Sequence, residues 1–380
     1  MRIGIDAREA FRPEPRGIGL YVRHLVREFA ELAREREFVL YHQLPLLAGA
    51  MAIPPNARTH RADLPGGRFH LWERLQMPWR MRRDRVDVYH GTYNTLPPRY
   101  RAWPGPPMIV SLHDVIVTWW PDDLDDPFVQ YVRAVTKRVV RDAALILTVS
   151  EWSRGEICER FDVDPAKVRL TYNGLHPLIL KGPTPDAAAT VRQRFSDGRP
   201  YVFAIGAPLE RKNTGRLIEA WARAKASRPD WPHLLLVSGL ARHADRFRER
   251  AERAGAAEHV RFLPYLTQQE LVDVYSGAEL SVYPSMVEGW GIPVGEALAL
   301  GVPVLTSNTS AMPEAGGEFA RYFDPADVDS MAHALVEALE RYVDEFAALR
   351  PRAVAHARTF TWTATARSVL QAYDEVAGRR

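Results

Sequence analysis

From Tyr283 to Gly301 the chain reads YPSMVEGWGIPVGEALALG. It leaves a strand end, passes Pro284 and Ser285, turns through Gly289-Trp290-Gly291, and enters an apolar run from Val294 to Leu300 behind Pro293. The order is strand, glycine loop, helix. Glycines in such a loop let the backbone approach a ligand closely, and the free N–H groups of the helix N-terminus favour an anion. Glu288 lies on the loop and Glu296, eight residues on, lies near the first helical turns. Two carboxylates facing a phosphate would repel it. They suit polyol hydroxyls, because an ionised carboxylate only accepts hydrogen bonds. Backbone donors for phosphate together with carboxylates for hydroxyls suggest a sugar nucleotide.

The same residues carry a family resemblance. Glu288-Gly-Trp-Gly-Ile-Pro-Val-Gly-Glu296-Ala, followed by Gly301-Val-Pro-Val and Ser310-Ala-Met-Pro-Glu314, resembles the E-x7-E region of retaining, GT-B-fold glycosyltransferases of family 4. These include the group 1, mannosyltransferase-like members. The resemblance implies an α/β protein of two Rossmann-like doubly wound domains facing each other across a cleft. It places an acceptor domain at 1–175, a linker at 176–199 and a donor domain at 200–362. A last helix at 363–380 crosses back to the first domain, with Trp362 packing near the crossover.

Bulk properties agree with that reading. At 380 residues the chain is long for one core, so two domains are the natural expectation. No apolar run approaches the roughly 18 residues that span a bilayer. The start, MRIGIDARE, has charges where a signal peptide needs an apolar core, and reads as a first strand. The single cysteine, Cys158, excludes an intrachain disulfide framework and fits a reducing, cytoplasmic setting. A net charge of only +3 argues against a dedicated nucleic-acid binder.

Alternating strands and helices run the length of the chain. Arg2 to Asp6 is a strand. Arg16-Gly17-Ile-Gly19 leads into an amphipathic helix at about 20–33. These glycines fall short of a full G-x-G-x-x-G, so they read as a tight turn or a phosphate-side loop. By resemblance, Gly17 and Gly19 lie across the cleft from the donor diphosphate. Between residues 60 and 85, Arg68, Arg74, Arg80, Arg82, Arg83 and Arg85 interleave with Trp72, Leu75, Met77, Trp79 and Met81. That segment reads either as a surface for an anionic membrane at the inner face or as a core-facing helix with a solvated arginine face, interrupted at Pro78. Two short strands end in His90 and in His113-Asp114, where ligands bind in open α/β sheets. By resemblance His113 touches the donor sugar or the acceptor; His90 has the weaker claim. Ser150 can cap the next helix, with Arg154 in its first turn as an acceptor-side contact, and Asp114 shares that side. Asp122-Asp123 and Asp125-Asp126 read as helix caps, and no D-x-D suits a metal.

The second half restarts the alternation at a strand from Tyr201 to Gly206. Arg211 and Lys212 follow in the loop before a helix at 214–227, where two cations can neutralise a diphosphate. The family carries an Arg-Lys at this point; many relatives add a basic residue where this chain has Ala207. Ser238 and Leu263 stand at strand ends where the family binds the nucleotide base. The tail from Val328 is helical, with a break expected near Pro351.

The resemblance therefore implies retaining, metal-independent transfer of a hexose from a nucleotide-diphosphate sugar to a saccharide or lipid-linked acceptor, with no cofactor. His113, Arg211, Lys212 and Glu288 would be catalytic. Gly17, Gly19, Gly206, Gly289, Trp290, Gly291, Glu296, Ser238 and Leu263 would bind the donor. The Leu-Glu-Arg211-Lys-Asn213 segment resembles that of relatives using GDP-mannose. Three other classes stay open: a sugar-nucleotide epimerase or hydrolase, a non-catalytic sugar-nucleotide binder, and a membrane or partner-binding scaffold using the arginine-rich segment.

Overall fold

The computed structural model describes residues 1–12, 17–43, 51–61, 69–101, 105–121, 125–240 and 243–378. Arg16, Arg68 and the Asp122-Asp123 pair, singled out above, lie outside them. The chain divides into two compact units, residues 1–174 with 361–380, and residues 175–360.

The first unit holds β1 (Arg2–Asp6), β2 (Glu37–His42), β3 (Ala57–Arg61), β4 (Val88–Gly91), β5 (Met108–Ser111), β6 (Leu145–Thr148) and β7 (Val168–Leu170). Its sheet order is β3-β2-β1-β4-β5-β6-β7. The second holds β8 (Tyr201–Ile205), β9 (Leu234–Ser238), β10 (Val260–Phe262), β11 (Leu280–Tyr283), β12 (Val304–Ser307) and β13 (Ala320–Phe323), ordered β10-β9-β8-β11-β12-β13. Every neighbouring pair is parallel. Each unit is thus a doubly wound α/β sheet, as expected. Strand order reverses between β1 and β4 in one and between β8 and β11 in the other. Ligands bind at such switch points, outside the carboxyl ends of the strands.

Both faces of the first sheet are covered. On one, the helix Ile18–Leu32 buries Tyr21, Val22, Leu25, Val26 and Phe29, a three-four spacing that makes one apolar stripe. The last helix, Trp362–Gly378, adds Trp362, Val369, Leu370, Tyr373 and Val376 to the same core. A Cβ on Gly174 would lie 2.3 Å from the Trp362 backbone nitrogen, so only glycine lets the returning chain pass this close. On the other face Trp72, Met77, Met81, Val139 and Ile157 close the core.

Several expectations need correction. Residues 176–199, read as a linker, carry two helices, Pro177–Lys181 and Ala187–Ser196, and belong to the second unit, burying Ile179, Val191 and Phe195. Pro351 does not break the chain's helix: Val343–Ala357 runs through it. Proline removes the bond to the carbonyl four residues back, and here Ala347 and Pro351 are both exposed, so water can serve that carbonyl. Pro78 does not end its helix either. The run Phe69–Leu71, Trp72–Gln76 and Met77–Arg83 is continuous, with the middle five residues widened to a π turn just before the proline. The acidic cap is confirmed at Asp126, whose carboxylate accepts from Phe128 N and Val129 N at the start of Pro127–Asp142. Among the described residues no helix is long and apolar enough to cross a membrane.

Candidate active site

At the β8/β11 switch point of the second unit, one carboxylate gathers four side chains. Glu288 receives Lys212 Nζ at 2.5 Å, Arg211 Nη1 at 3.1 Å and Tyr283 O–H at 2.9 Å, together with the Ser285 hydroxyl. Lys212 also donates to Tyr283 Oη at 2.9 Å. Arg211 and Lys212 are brought there by a short 3-10 turn, Glu210–Lys212, that ends at Asn213 in the left-handed region (φ 59). The Asn213 amide holds the loop by donating to the carbonyls of Pro284 and Pro325. Met286 N donates to the Arg211 carbonyl at 2.7 Å, and Glu288 N donates to Ser310 Oγ at 3.0 Å. The cations expected to face a diphosphate and the carboxylate expected to face a sugar therefore hold one another.

Burial disfavours the Glu288 carboxylate, but the charges of Lys212 and Arg211 outweigh it and hold its pKa below the usual range. Burial likewise disfavours the Lys212 ammonium, and Glu288 outweighs that too, raising its pKa. Glu296 has the opposite surroundings. It is buried on the helix Ile292–Ala299, and the Tyr275 hydroxyl donates to it at 3.3 Å. Burial pushes its pKa up to about 7, with Tyr275 opposing the shift only in part.

The glycines divide by role. A Cβ on Gly206 would meet Val237 and Thr214 at 3.0–3.1 Å, and one on Gly291 would meet Ala315 at 2.8 Å, so both are needed for packing. Gly289 lies between Glu288 and the buried Trp290, whose ring stands edge-on to Phe360 at 5.2 Å. Trp290 is thus turned into the core of its unit. Ser238 and Leu263 are buried at strand ends, tied into the sheet by Gly206 N to the Ser238 carbonyl and Leu263 N to the Val237 carbonyl.

In the first unit, Gly17 starts the helix Ile18–Leu32 at φ 46, where L side chains are strained, with open space beside it; Gly19 is buried on that helix. His113 follows β5. Its backbone N–H donates to Asn94 Oδ1 at 3.1 Å, and Tyr21 stands edge-on to its ring at 4.8 Å. Burial lowers the pKa of its imidazole to about 4, so the ring is neutral. Asp114 caps the next turn through Ile116 N at 2.9 Å. Arg154 pairs with Glu151 at 3.3 Å and donates to the Pro165 carbonyl, in the first turn of a helix capped by Ser150. His90 is a structural link: Nδ1 meets Tyr373 Oη and Nε2 meets Ser111 Oγ, each at 2.7 Å. Burial drives its pKa down to about 3.

Sequence reasoning did not single out Tyr283, Ser285, Ser310 or Tyr275 as site residues. The first three lie within or just after the motif, and hydroxyl residues flanking Glu288 in the sequence were a readable signal. Tyr275 gave none, because its helix reaches Glu296 only through the fold. Among the described residues no cluster of three or more His, Cys, Asp or Glu could hold a metal ion.

Comparison with known proteins places these features. The model for "Glycosyl transferases group 1" matches residues 188–357, and that for "Glycosyltransferase Family 4" matches 15–177. The chain is 26% identical over 387 residues to O-antigen chain mannosyltransferase B of Escherichia coli, covering 97% of this chain and 98% of that protein. Sucrose-phosphate synthase from Thermosynechococcus elongatus superposes with a TM-score of 0.76 at 20% identity, over 100% of both chains. HepE from Anabaena, in complex with UDP and glucose, superposes with a TM-score of 0.73 at 16% identity, over 99% of this chain and 100% of that one. These neighbours have the GT-B fold.

Proposed function

Because the chain belongs to the group 1, family 4 glycosyltransferases, we propose that it transfers a hexose from a nucleotide-diphosphate sugar to a saccharide or lipid-linked acceptor hydroxyl, with retention at the anomeric carbon. The observation that carries the reading is the buried Glu288 held by Lys212 and Arg211 at the switch point of the second unit. A donor diphosphate arriving there competes for the two cations. It takes over part of their charge and frees the carboxylate for sugar hydroxyls. In the transition state the bond from the anomeric carbon to the diphosphate breaks while the bond to the acceptor oxygen forms on the same face. The acceptor proton passes to the departing phosphate oxygen. The leaving group gathers negative charge, and preorganised cations of this kind supply the largest stabilising term in such sites. Glu296 takes the ribose hydroxyls, and His113 meets the sugar or the acceptor from the first unit. With Arg211 and Lys212 providing the positive charge, transfer proceeds without a divalent ion; a strict Mg²⁺ requirement after chelation would refute that part.

The mannosyltransferase relative and the Arg211-Lys212-Asn213 loop favour a GDP-linked hexose such as GDP-mannose, while the UDP-bound structural neighbour makes UDP the competing base. Peripheral contact with an anionic cytoplasmic membrane face through the Arg74–Arg85 segment would bring the enzyme to a lipid-linked acceptor.

The test is a thermal-shift panel of GDP, UDP and ADP and their sugars, in chelator. Ligand that binds only folded protein raises its stability. The expected result is a shift with one base that disappears in Lys212→Ala. A folded protein that none of these compounds stabilises would overturn the reading.

A further inference from the structure

Four hydroxyl side chains lie close together at the end of β12, as Thr306-Ser307-Asn308-Thr309-Ser310. β11 and β12 pair in parallel up to Tyr283 opposite Thr306. Pro284 comes next and has no N–H, so it cannot donate to a backbone ladder. The hydroxyls take over from the backbone. Thr306 Oγ1 donates to the Tyr283 carbonyl at 2.8 Å, Ser307 Oγ to the Ser285 carbonyl at 2.6 Å, and Thr309 Oγ1 to the Met286 carbonyl at 2.9 Å. The last bond reverses direction: Ser310 Oγ accepts from Glu288 N at 3.0 Å. Each hydroxyl thus takes a later backbone group of the loop, and the row ends on Glu288 itself.

Ser310 holds its bond from a strained backbone. Its φ is 54°, in the left-handed region. Among the described residues, the other non-glycine positions there are Asn or Asp, save Arg85. Asn and Asp tolerate that conformation because a short polar side chain bonds locally. Glycine would relax the turn but offers no acceptor. Glu288 is buried, and Ser310 Oγ is the acceptor of its N–H among the described residues. Without it that N–H would be desolvated and unpaired, which is unfavourable. Strained backbone of this kind persists where the surroundings over-determine it, and it gathers at functional sites.

The residue fixed in this way is the one whose partners must change. In the free protein the Glu288 carboxylate holds Lys212 and Arg211. In the proposed reaction it exchanges them for sugar hydroxyls. A side chain that changes partners keeps its geometry only if its backbone stays in place. Met286 N and Ser285 Oγ tie the middle of the loop to the Arg211 carbonyl. Ser310 ties residue 288.

We propose that Ser310 is the positioning residue for Glu288. It fixes the glutamate's backbone while the carboxylate exchanges cations for sugar hydroxyls, and Thr306, Ser307 and Thr309 brace the rest of the loop. Ser310 acts through Glu288 and not on the substrate. This deepens the glycosyltransferase reading and rests on it for the effect on turnover.

Two variants of the full chain, Ser310→Ala and Ser310→Gly, test it. Both remove the acceptor, and only glycine also relieves the backbone. Ser310→Gly should therefore melt above Ser310→Ala. Both should bind the nucleoside diphosphate that the thermal-shift panel identifies with wild-type affinity. Both should lower kcat for diphosphate release from its sugar by about tenfold to a hundredfold, because an ångström of misplacement can cost that much. A purely structural role makes turnover follow stability. Near wild-type turnover in the glycine variant, or in the alanine variant, overturns the proposal. Deuterium exchange at the Glu288 amide, resolved with overlapping peptides, is a readout independent of transfer. It should quicken about tenfold or more in both variants, while Leu280–Tyr283 stays as protected as in wild type; unchanged exchange overturns the proposal. If no sugar nucleotide binds, the transfer reading fails, and the exchange still decides whether Ser310 fixes Glu288.

Discussion

Glu288 and Glu296 are the same residue type in one motif, and their surroundings drive them in opposite directions. Lys212 and Arg211 hold Glu288 ionised, so its contribution to stability is lost only when pH falls below the usual carboxylate range. Removing its charge leaves two half-buried cations uncompensated, which costs less than the roughly 3–5 kcal/mol of a fully buried pair. Glu288→Gln should therefore lower the melting temperature of the free protein and cut turnover at least a hundredfold. A nucleoside diphosphate should still bind it as tightly as wild type, because the cations no longer have a competing carboxylate. Calorimetry with kinetics checks this, and wild-type turnover would refute the role. For Glu296 the folded pKa of about 7 lies above the ordinary carboxyl value of 4.5. Its stabilising effect is complete below the unfolded pKa and is lost as pH rises through 7, on the order of 3 kcal/mol in all. Glu296→Gln should then raise the melting temperature at pH 8 and leave it unchanged at pH 4. Ribose hydroxyls donating to Glu296 favour its ionised form, so nucleotide binding near pH 7 should release a proton and tighten as pH rises from 6 to 8. Titration calorimetry in two buffers of different ionisation enthalpy measures that proton, and no release would refute the ribose role. The spacing of the two glutamates was legible in the sequence; their opposite electrostatics was not, since Tyr275 and the two cations reach them only through the fold.

At the scale of elements, legibility followed apolar patterning. The buried strand Leu234–Ser238 is a near-continuous apolar run that ends at Ser238, and the strand Leu280–Tyr283 ends at Tyr283, both strand ends as expected. The edge strand β3, Ala-Arg-Thr-His-Arg, was not legible, because an edge needs charge more than apolar side chains and these five carry little pattern. The helices at 177–181 and 187–196 hid in a Pro- and Ala-rich stretch for a similar reason: few apolar anchors, Ile179, Val191 and Phe195, fix them. The helical run 69–83 was read both as a core helix and as a membrane face, and it has a buried side and an exposed one. Trp72, Met77 and Met81 are buried, whereas Leu75 is 64% exposed and Trp79 54% exposed, with Tyr100 beside them donating to the Arg74 carbonyl. The guanidiniums of Arg80 and Arg83 lie 4.9 and 5.3 Å from the Trp79 ring centroid. Exposed Trp and Leu ringed by arginines suit an anionic lipid interface. The protein should co-sediment with phosphatidylglycerol vesicles and not with phosphatidylcholine ones, and high salt should release it. Leu75→Ser with Trp79→Ser should weaken that binding about tenfold or more while leaving nucleotide binding unchanged; equal sedimentation of the double variant would refute the docking face.

For the molecule as a whole, the chain path sets what can fold alone. The second unit is one contiguous segment, and its ends meet: Leu175 N donates to the Phe360 carbonyl at 3.0 Å. It has its own parallel sheet, its own core and the complete Glu288 cluster. The first unit is discontinuous, because residues 361–380 return to it. The last helix buries Trp362, Val369, Leu370, Tyr373 and Val376 in that core, each worth about 1.5–3 kcal/mol. Its Tyr373 hydroxyl also starts the buried chain through His90 and Ser111 to Tyr21. A fully buried hydrogen-bonded chain of this kind loses heavily when one member is removed, since the remaining groups stay desolvated. Together these terms, about 8–15 kcal/mol, are comparable to the 5–15 kcal/mol by which whole domains are stable. A fragment of residues 175–360 should therefore fold cooperatively and show the same diphosphate-dependent thermal shift as the full chain. Residues 1–174 alone should not, and should recover native near-ultraviolet circular dichroism when the 361–380 peptide is added. A native-like 1–174 fragment would show that the returning helix is dispensable, and a 175–360 fragment that folds without binding any diphosphate would show that the Glu288 cluster needs the first unit to be a donor site.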